Sequence, residues 1–298
     1  MNYADDNTLT YFSKSLPQLI NVLEKEASIA LTWLDQNEMI ANPEKFHALL
    51  VKKDRTDTTG HKISIQGKTI KSEDSVKLLG INLDHKLNFD NHISDLCKKA
   101  ATQLNVLKRL KSFLGFEEKR VLVQSFVFSN FNYCPLVWFF SSSKSVEKIE
   151  KVQERALRFL YDDYNSSYAE LLVKSEKCTM HVNRLRYLCI EIFKTLKQLN
   201  PEFMQTIFET RTSHRPSRHP NNLKHYRPNQ VTFGSNSLRS LGPQIWNSLP
   251  EHIKSVENPV QFKRAIKGWG YLQVQCMPSE IINDCKNKPF FIIFRIPL

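Results

Sequence analysis

The amino-acid sequence predicts an α+β fold that is mainly α, and three observations carry that prediction. Strand and hairpin signals are confined to about the first 88 residues. Helical periodicity dominates from Asp90 to Leu199. The stretch between Glu209 and Glu251 then holds no acidic residue but carries Arg211, Arg215, Arg218, Lys224, Arg227 and Arg239 among Pro216, Pro220 and Pro228. Four regions follow from these shifts: 1–88, 89–209, 210–269, and a tail over 270–298 that shows no clear period. No internal repeat is present.

Taken in order, Ser13 and Ser15 before Pro17 mark a helix start. Leu16, Leu19, Ile20, Leu23, Ala27, Ala30, Leu31 and Leu34 recur at three-and-four spacing, so the helix runs to about Met39 with one apolar face, and Asn42-Pro43 ends it. Phe46 to Val51 reads as a buried strand. Ile63 and Ile65, then Gln66-Gly67, then Thr69 and Ile70 read as a hairpin. Val76 to Leu83 reads as a further strand, with Gly80 in its middle where another group approaches the backbone. Helices are expected from Asp90 along the stripe Ile93, Leu96, Ala100, Leu104 and Leu107, then from about Phe116 to Asn132, Ser145 to Leu160, Tyr168 to Val173 and Met180 to Leu199. Proline density makes the basic stretch an extended loop. A compact piece over Leu241 to Pro250 and a short helix over Pro259 to Lys267 follow.

The 298 residues carry 42 Lys plus Arg against 30 Asp plus Glu, a net charge of +12. Such an excess favours a polyanionic partner, nucleic acid before a membrane surface. No apolar run approaches the roughly 18 residues of a membrane span, and Asn2 to Asp6 offers neither the basic start nor the apolar stretch of a signal peptide. Collagen, mucin, membrane and small secreted disulfide classes are excluded. An intracellular protein, in nucleus or cytoplasm, is expected. Cys97, Cys134, Cys178, Cys189, Cys276 and Cys285 form no CxxC pair, so reduced thiols are expected. His214, His219 and His225 lie in the basic stretch with no cysteine partner, which argues against zinc. The aromatic residues from Phe126 to Phe140 have helical spacing without interleaved charge, the pattern of a packed core more than of base stacking.

Tyr3-Ala4-Asp5-Asp6 is the motif with chemistry in it. Adjacent strand residues point to opposite faces, so two consecutive carboxylates serve one site only at a tight turn. At such a turn a pair of carboxylates can hold Mg²⁺, as two-metal nucleotidyl transfer requires. The alternative for the same residues is an acidic pair capping a helix.

That motif, the amphipathic helix after it, Asn42-Pro43-Glu44-Lys45-Phe46 and Lys77-Leu78-Leu79-Gly80-Ile81 together resemble the end of a reverse transcriptase palm. Their order and spacing are similar to those of non-LTR (LINE-type, jockey-like) retrotransposons. Lys148 to Arg158 (KIEKVQERALR) resembles the helix after the thumb, and Ser240 to Pro250 (SLGPQIWNSLP) the carboxyl-terminal signature, with Phe262-Lys263-Arg264 after it. The likeness covers about residues 1 to 269. It implies a truncated palm remnant over 1–88 and a helical thumb with following helices over 89–209. The basic loop and signature would then occupy 210–269, and a divergent tail 270–298.

Carried over residue by residue, the resemblance makes Asp5 and Asp6 the catalytic and metal-holding turn, with Mg²⁺ as the inherited cofactor. Tyr3 lines the template-primer and nucleotide site, Lys45 lies near the departing pyrophosphate unless it is simply a solvated lysine, and Leu79-Gly80 form the turn that grips the primer. RNA and DNA as template-primer are the implied partners, and no obligate protein partner is inferable. The family's third metal-binding carboxylate lies on an earlier palm strand, and the sequence begins two residues before the motif. The expectation is therefore a polymerase fragment inactive alone, with unpaired strand edges and an uncovered helix face around Leu19, Leu23 and Leu31. The rival reading is a non-catalytic nucleic-acid-binding module. It would use Lys98, Lys99, Lys108, Arg109 and Lys111 on a helix and Arg211, Arg215, Arg218, Lys224 and Arg227 in the loop.

Overall fold

A computed structural model describes residues 2–3, 6–52, 56–210, 221–226, 237–269 and 290–297; of Asn2, Tyr3, Asp6 and 290–297 it describes the backbone alone. The chain divides into two compact units, Met1–His92 with Lys286–Leu298, and Ile93–Cys285.

The first unit is built on an antiparallel sheet. Its strands are β1 (Asn2–Tyr3), β2 (Asp6–Ser13), β3 (His47–Val51) and β8 (Phe290–Pro297), in the order β1-β2-β8-β3. The tail, which has no readable period, thus supplies a central strand. Leu9 pairs with Phe294 and Leu49 with Ile293, so β8 joins the facing edges of β2 and β3. The facing edges of β2 and β3 are thus paired, while β1 meets only Asp6 and Asn7 on the other side of β2. Helix α1 (Leu16–Gln36) buries Leu19, Leu23, Ala27, Leu31 and Leu34, one stripe at three-and-four spacing. That stripe packs with Phe46, Ala48, Leu50, Ile63, Ile65 and Ile70, so the helix face expected to be open is covered. Burying each such leucine or isoleucine is worth about 1.5–3 kcal/mol.

Two hairpins complete this unit. In β4 (Lys62–Ile65) and β5 (Lys68–Lys71), Gln66 and Gly67 turn the chain with φ of 47° and 80°. In β6 (Ser75–Leu78) and β7 (Ile81–Asp84), Leu78 pairs with Ile81 across Leu79 and Gly80, with φ of 45° and 85°. The continuous strand expected over Val76 to Leu83 is therefore a hairpin. Two successive positive φ values match the twist of the flanking strands, and Leu79 accepts about 1–2 kcal/mol of backbone strain to provide one. Beyond β7, the Asp84 carboxylate accepts N–H bonds from Lys86 and Phe89, both at 2.9 Å, which organises the entry to the next helix.

Helices make up the second unit. They are α2 (Asp90–Arg109), α3 (Phe116–Leu122), α4 (Ser143–Tyr161), α5 (Tyr168–Lys174), α6 (Met180–Leu196), α7 (Glu202–Gln205), α8 (Leu238–Ser248), α9 (Glu251–Lys254) and α10 (Pro259–Trp269). The single helix expected over Phe116 to Asn132 gives way to a π-helical turn at Val123–Val127 and a 3-10 turn at Phe128–Phe131. Side chains compete with the backbone ladder there: Ser125 donates to the Val121 carbonyl, Ser129 to the Ser125 carbonyl and Asn130 to the Phe126 carbonyl. Phe128, Phe131, Trp138 and Phe139 are buried, whereas Phe126 and Tyr133 stay exposed. In the α6–α8–α10 core, Phe193 stacks on Phe262 at 4.2 Å and Trp246 lies 5.8 Å from the same ring. Among the described residues, no helix is long and apolar enough to cross a membrane.

Candidate functional site

The acidic motif opens the sheet. Asp6 begins β2 and pairs with Tyr3 of β1 on one side and Pro297 of β8 on the other. Asp5 lies outside the described residues. Lys45 ends the 3-10 turn Pro43–Lys45 and is exposed; the turn is started by Asn42, whose Oδ1 accepts the Glu44 N–H at 3.0 Å. Leu79 and Gly80 form the tip of the β6–β7 hairpin. Among the described residues no group of three His, Cys, Asp or Glu side chains could hold a metal ion.

The basic helix face divides into paired and unpaired cations. Lys98 lies 3.6 Å from Asp95, a weak exposed pair. Lys111 is held by Asp162 at 2.6 Å, and the same carboxylate takes the largely buried Lys119 at 2.9 Å. Asp162 is the left-handed residue that ends α4, so a helix terminus places this carboxylate between the two ammonium groups. Hydrogen bonds from Lys111 and then Lys119 hold Asp162 below the usual carboxylate range. Lys99, Lys108 and Arg109 are exposed.

Carboxylates and amides in α4 do structural work. Glu150 accepts the His181 N–H at 2.8 Å and the Tyr168 hydroxyl at 2.6 Å; Gln153 accepts the Met180 N–H at 3.0 Å. The two side chains satisfy donors at the start of α6 that have no partner within the helix. The KIEKVQERALR segment is thereby fastened to the element after it. Burial pushes the Cys189 thiol up to about 12 and the Cys97 thiol up to about 11, so these two are not activated thiols.

The carboxyl-terminal signature builds a third place. In α8, Gly242 lies so close to Phe208 that an added Cβ would sit 2.6 Å from its Cε1. The Trp246 indole N–H donates to the Asn221 carbonyl at 2.9 Å. The Asn247 side chain accepts the Leu223 N–H at 2.7 Å and donates to the Leu223 carbonyl at 2.9 Å, imitating a strand partner. Thr210 pairs with Leu223, and the Lys224 N–H donates to the Glu209 carbonyl at 2.8 Å. Between these segments lies a cavity of about 250 Å³, bordered by Glu209, Lys224, His225, Tyr226 and Arg239. Lys224 pairs with Glu209 at 2.9 Å, and the Arg239 guanidinium stands 4.5 Å over the Tyr226 ring. His225 contacts the Asn247 amide at 3.2 Å. Of the loop cations, Arg211, Arg215, Arg218 and Arg227 lie outside the described residues, as do His214 and His219. Sequence reasoning did not single out Tyr226, His225 or Arg239 as one group. The acid-free run containing all three was the available signal.

The chain is similar to a probable RNA-directed DNA polymerase from transposon BS of Drosophila melanogaster, with 26% identity over 164 residues. The match takes in 54% of this chain and 18% of the fly protein's length. No family model matches the chain. No solved structure matches it either.

Proposed function

We propose that this chain is part of a reverse transcriptase of the non-LTR, jockey-like kind, with a palm remnant over 1–88 and a thumb with following helices over 89–209. The observation that carries the reading is its similarity over 164 residues to a transposon RNA-directed DNA polymerase. The Tyr3-Ala4-Asp5-Asp6 motif supports it. The reaction class is attack of a primer 3′-hydroxyl on the α-phosphate of a nucleotide, with RNA and DNA as template-primer.

Mg²⁺ is the metal such chemistry uses, and the sheet bears on whether this chain fits it. The strands paired with β2 are β1 and β8, and neither Asn2–Tyr3 nor Phe290–Pro297 contains a carboxylate. A two-metal clamp needs more oxygen ligands than one turn provides, and these paired strands add none. On this reading the 298-residue chain assayed alone does not extend a primed RNA template with Mg²⁺ or Mn²⁺. Template-dependent extension that disappears in Asp5→Ala would overturn that.

A second reading, nucleic-acid binding without catalysis, is favoured by the exposed Lys99, Lys108 and Arg109 and by the net charge of +12. Each phosphate neutralised on a single strand contributes about −0.7 to the slope of log K against log salt. Replacing Arg211, Arg215, Arg218, Lys224 and Arg227 by Gln is expected to flatten that slope for single-stranded RNA. An unchanged slope moves binding off the loop.

A further inference from the structure

The cavity at the carboxyl-terminal signature carries an inference that rests on the nucleic-acid-binding reading. Three separate segments wall it, and each is fixed by main-chain bonds. Glu209 and Lys224 are joined through the backbone, Leu223 is clamped by Asn247, and α8 presents Arg239 one residue after its start. Within it, one cation is in a close ion pair, and the other acts on the same carboxylate only from a longer range. Lys224 is paired with Glu209, whose carboxyl is held below its ordinary value first by that lysine. Arg239 makes no salt bridge among the described residues, and its guanidinium is oriented on the Tyr226 ring. An arginine stacked this way keeps its in-plane N–H donors, a geometry suited to two oxygens of one phosphate. Tyr226 remains 42% exposed with the guanidinium in place, so it is open to solvent at the cavity.

We propose that this cavity binds one nucleotide unit of single-stranded nucleic acid, Arg239 pairing with the phosphodiester and Tyr226 stacking on the unpaired base beside it. Aromatic stacking tolerates any base, and a phosphate contact carries no sequence information, so the site grips a strand without reading it. Asn247 and Gly242 are then positioning residues: one holds Leu223 in the segment that leads to Tyr226, the other lets α8 approach Phe208 closely enough to set Arg239.

The test uses the full chain, fluorescein-labelled octauridylate and an abasic strand of equal length. Arg239→Gln is expected to weaken both probes about tenfold and to lower the salt slope by about 0.7. Tyr226→Leu is expected to weaken octauridylate about tenfold while leaving the abasic strand unchanged. Arg239→Lys keeps the charge but not the fork, and is expected to fall between Arg239→Gln and the parent. Both side chains are at the surface, and an unchanged melting midpoint confirms that the variants fold. Parental affinity in Arg239→Gln and Tyr226→Leu overturns the cavity. If the five-residue loop variant loses affinity in the same series, the binding reading survives without it. Equal losses for both probes in Tyr226→Leu overturn the stacking. A parent chain that binds neither probe overturns the binding reading itself.

Discussion

The two units solve the same problem of burying apolar surface with contacts of very different reach. In the helical unit several helices carry their own boundaries. Ser142 accepts the Ser145 N–H, Ser167 and Glu170 form a reciprocal capping box, and Thr179 accepts the Val182 N–H. The four-stranded sheet of the other unit has no such local closure. The edges of β2 and β3 face each other only through β8, which joins Thr8 to Arg295 and His47 to the same Arg295. The difference teaches that stability in the helical unit is distributed over short-range pieces. In the sheet unit it rests on one pairing across almost the whole chain.

The sharpest way to break this contrast is Ile293→Pro. Proline removes a ladder N–H from the middle of a central strand, at a cost of about 3 kcal/mol or more. Amide exchange in β2 and β3 is expected to speed up about a hundredfold while α4 and α6 keep their protection. Unchanged protection in β2 and β3 would show that β8 does not hold the sheet.

A smaller effect is expected from Gly242→Ala in the helical unit. The new methyl sits 2.6 Å from Phe208 Cε1 and 2.9 Å from its Cζ, so the ring must move. Overpacking of this kind costs about 1–3 kcal/mol. A drop in the urea midpoint read by Trp246 fluorescence, with β2 and β3 exchange unaffected, sharpens the separation of the units. No change in midpoint would mean that the core around Phe208 yields freely.

The smallest effect is a pH slope. Burial lowers His181 to about 4, with Arg184 nearby adding to the shift. An imidazole depressed from its unfolded value of about 6.5 binds its proton more readily in the unfolded chain. Its contribution is intact above about pH 6.5 and is lost as pH falls toward about 4. His181→Gln is expected to flatten the stability profile of the helical unit in that window, measured by urea melts at several pH values. An unaltered profile would assign the acid sensitivity to other groups.

Much of the helical unit is legible because its signals are local. Of the stripe Ile93, Leu96, Ala100, Leu104 and Leu107, all but the half-buried Leu96 are buried, and in α4 Ile149, Val152, Ala156 and Leu160 are buried while Val146 is half-buried. The π-turn at Val123–Val127 is not legible, since it depends on which carbonyls Ser125, Ser129 and Asn130 capture. In the candidate sites, composition marks the basic stretch but not which cation is neutralised. Lys111 reads as a free cation until Asp162 is brought against it, and Arg239 reads as one more surface charge until Tyr226 lies under its guanidinium.

The sequence by itself determined the helices, the Gln66-Gly67 hairpin, the excess of positive charge and the acidic motif at Asp5-Asp6. Each of these is written within a few residues, because a helix bonds residue i to i−4 and a tight turn closes over two positions. Only the tertiary structure decided that the tail is a strand between β2 and β3, and that Glu209, Tyr226 and Arg239 border one cavity. A strand draws its partner from any distance along the chain. A cavity is the space left by segments that meet only after folding, so neither has a local signature.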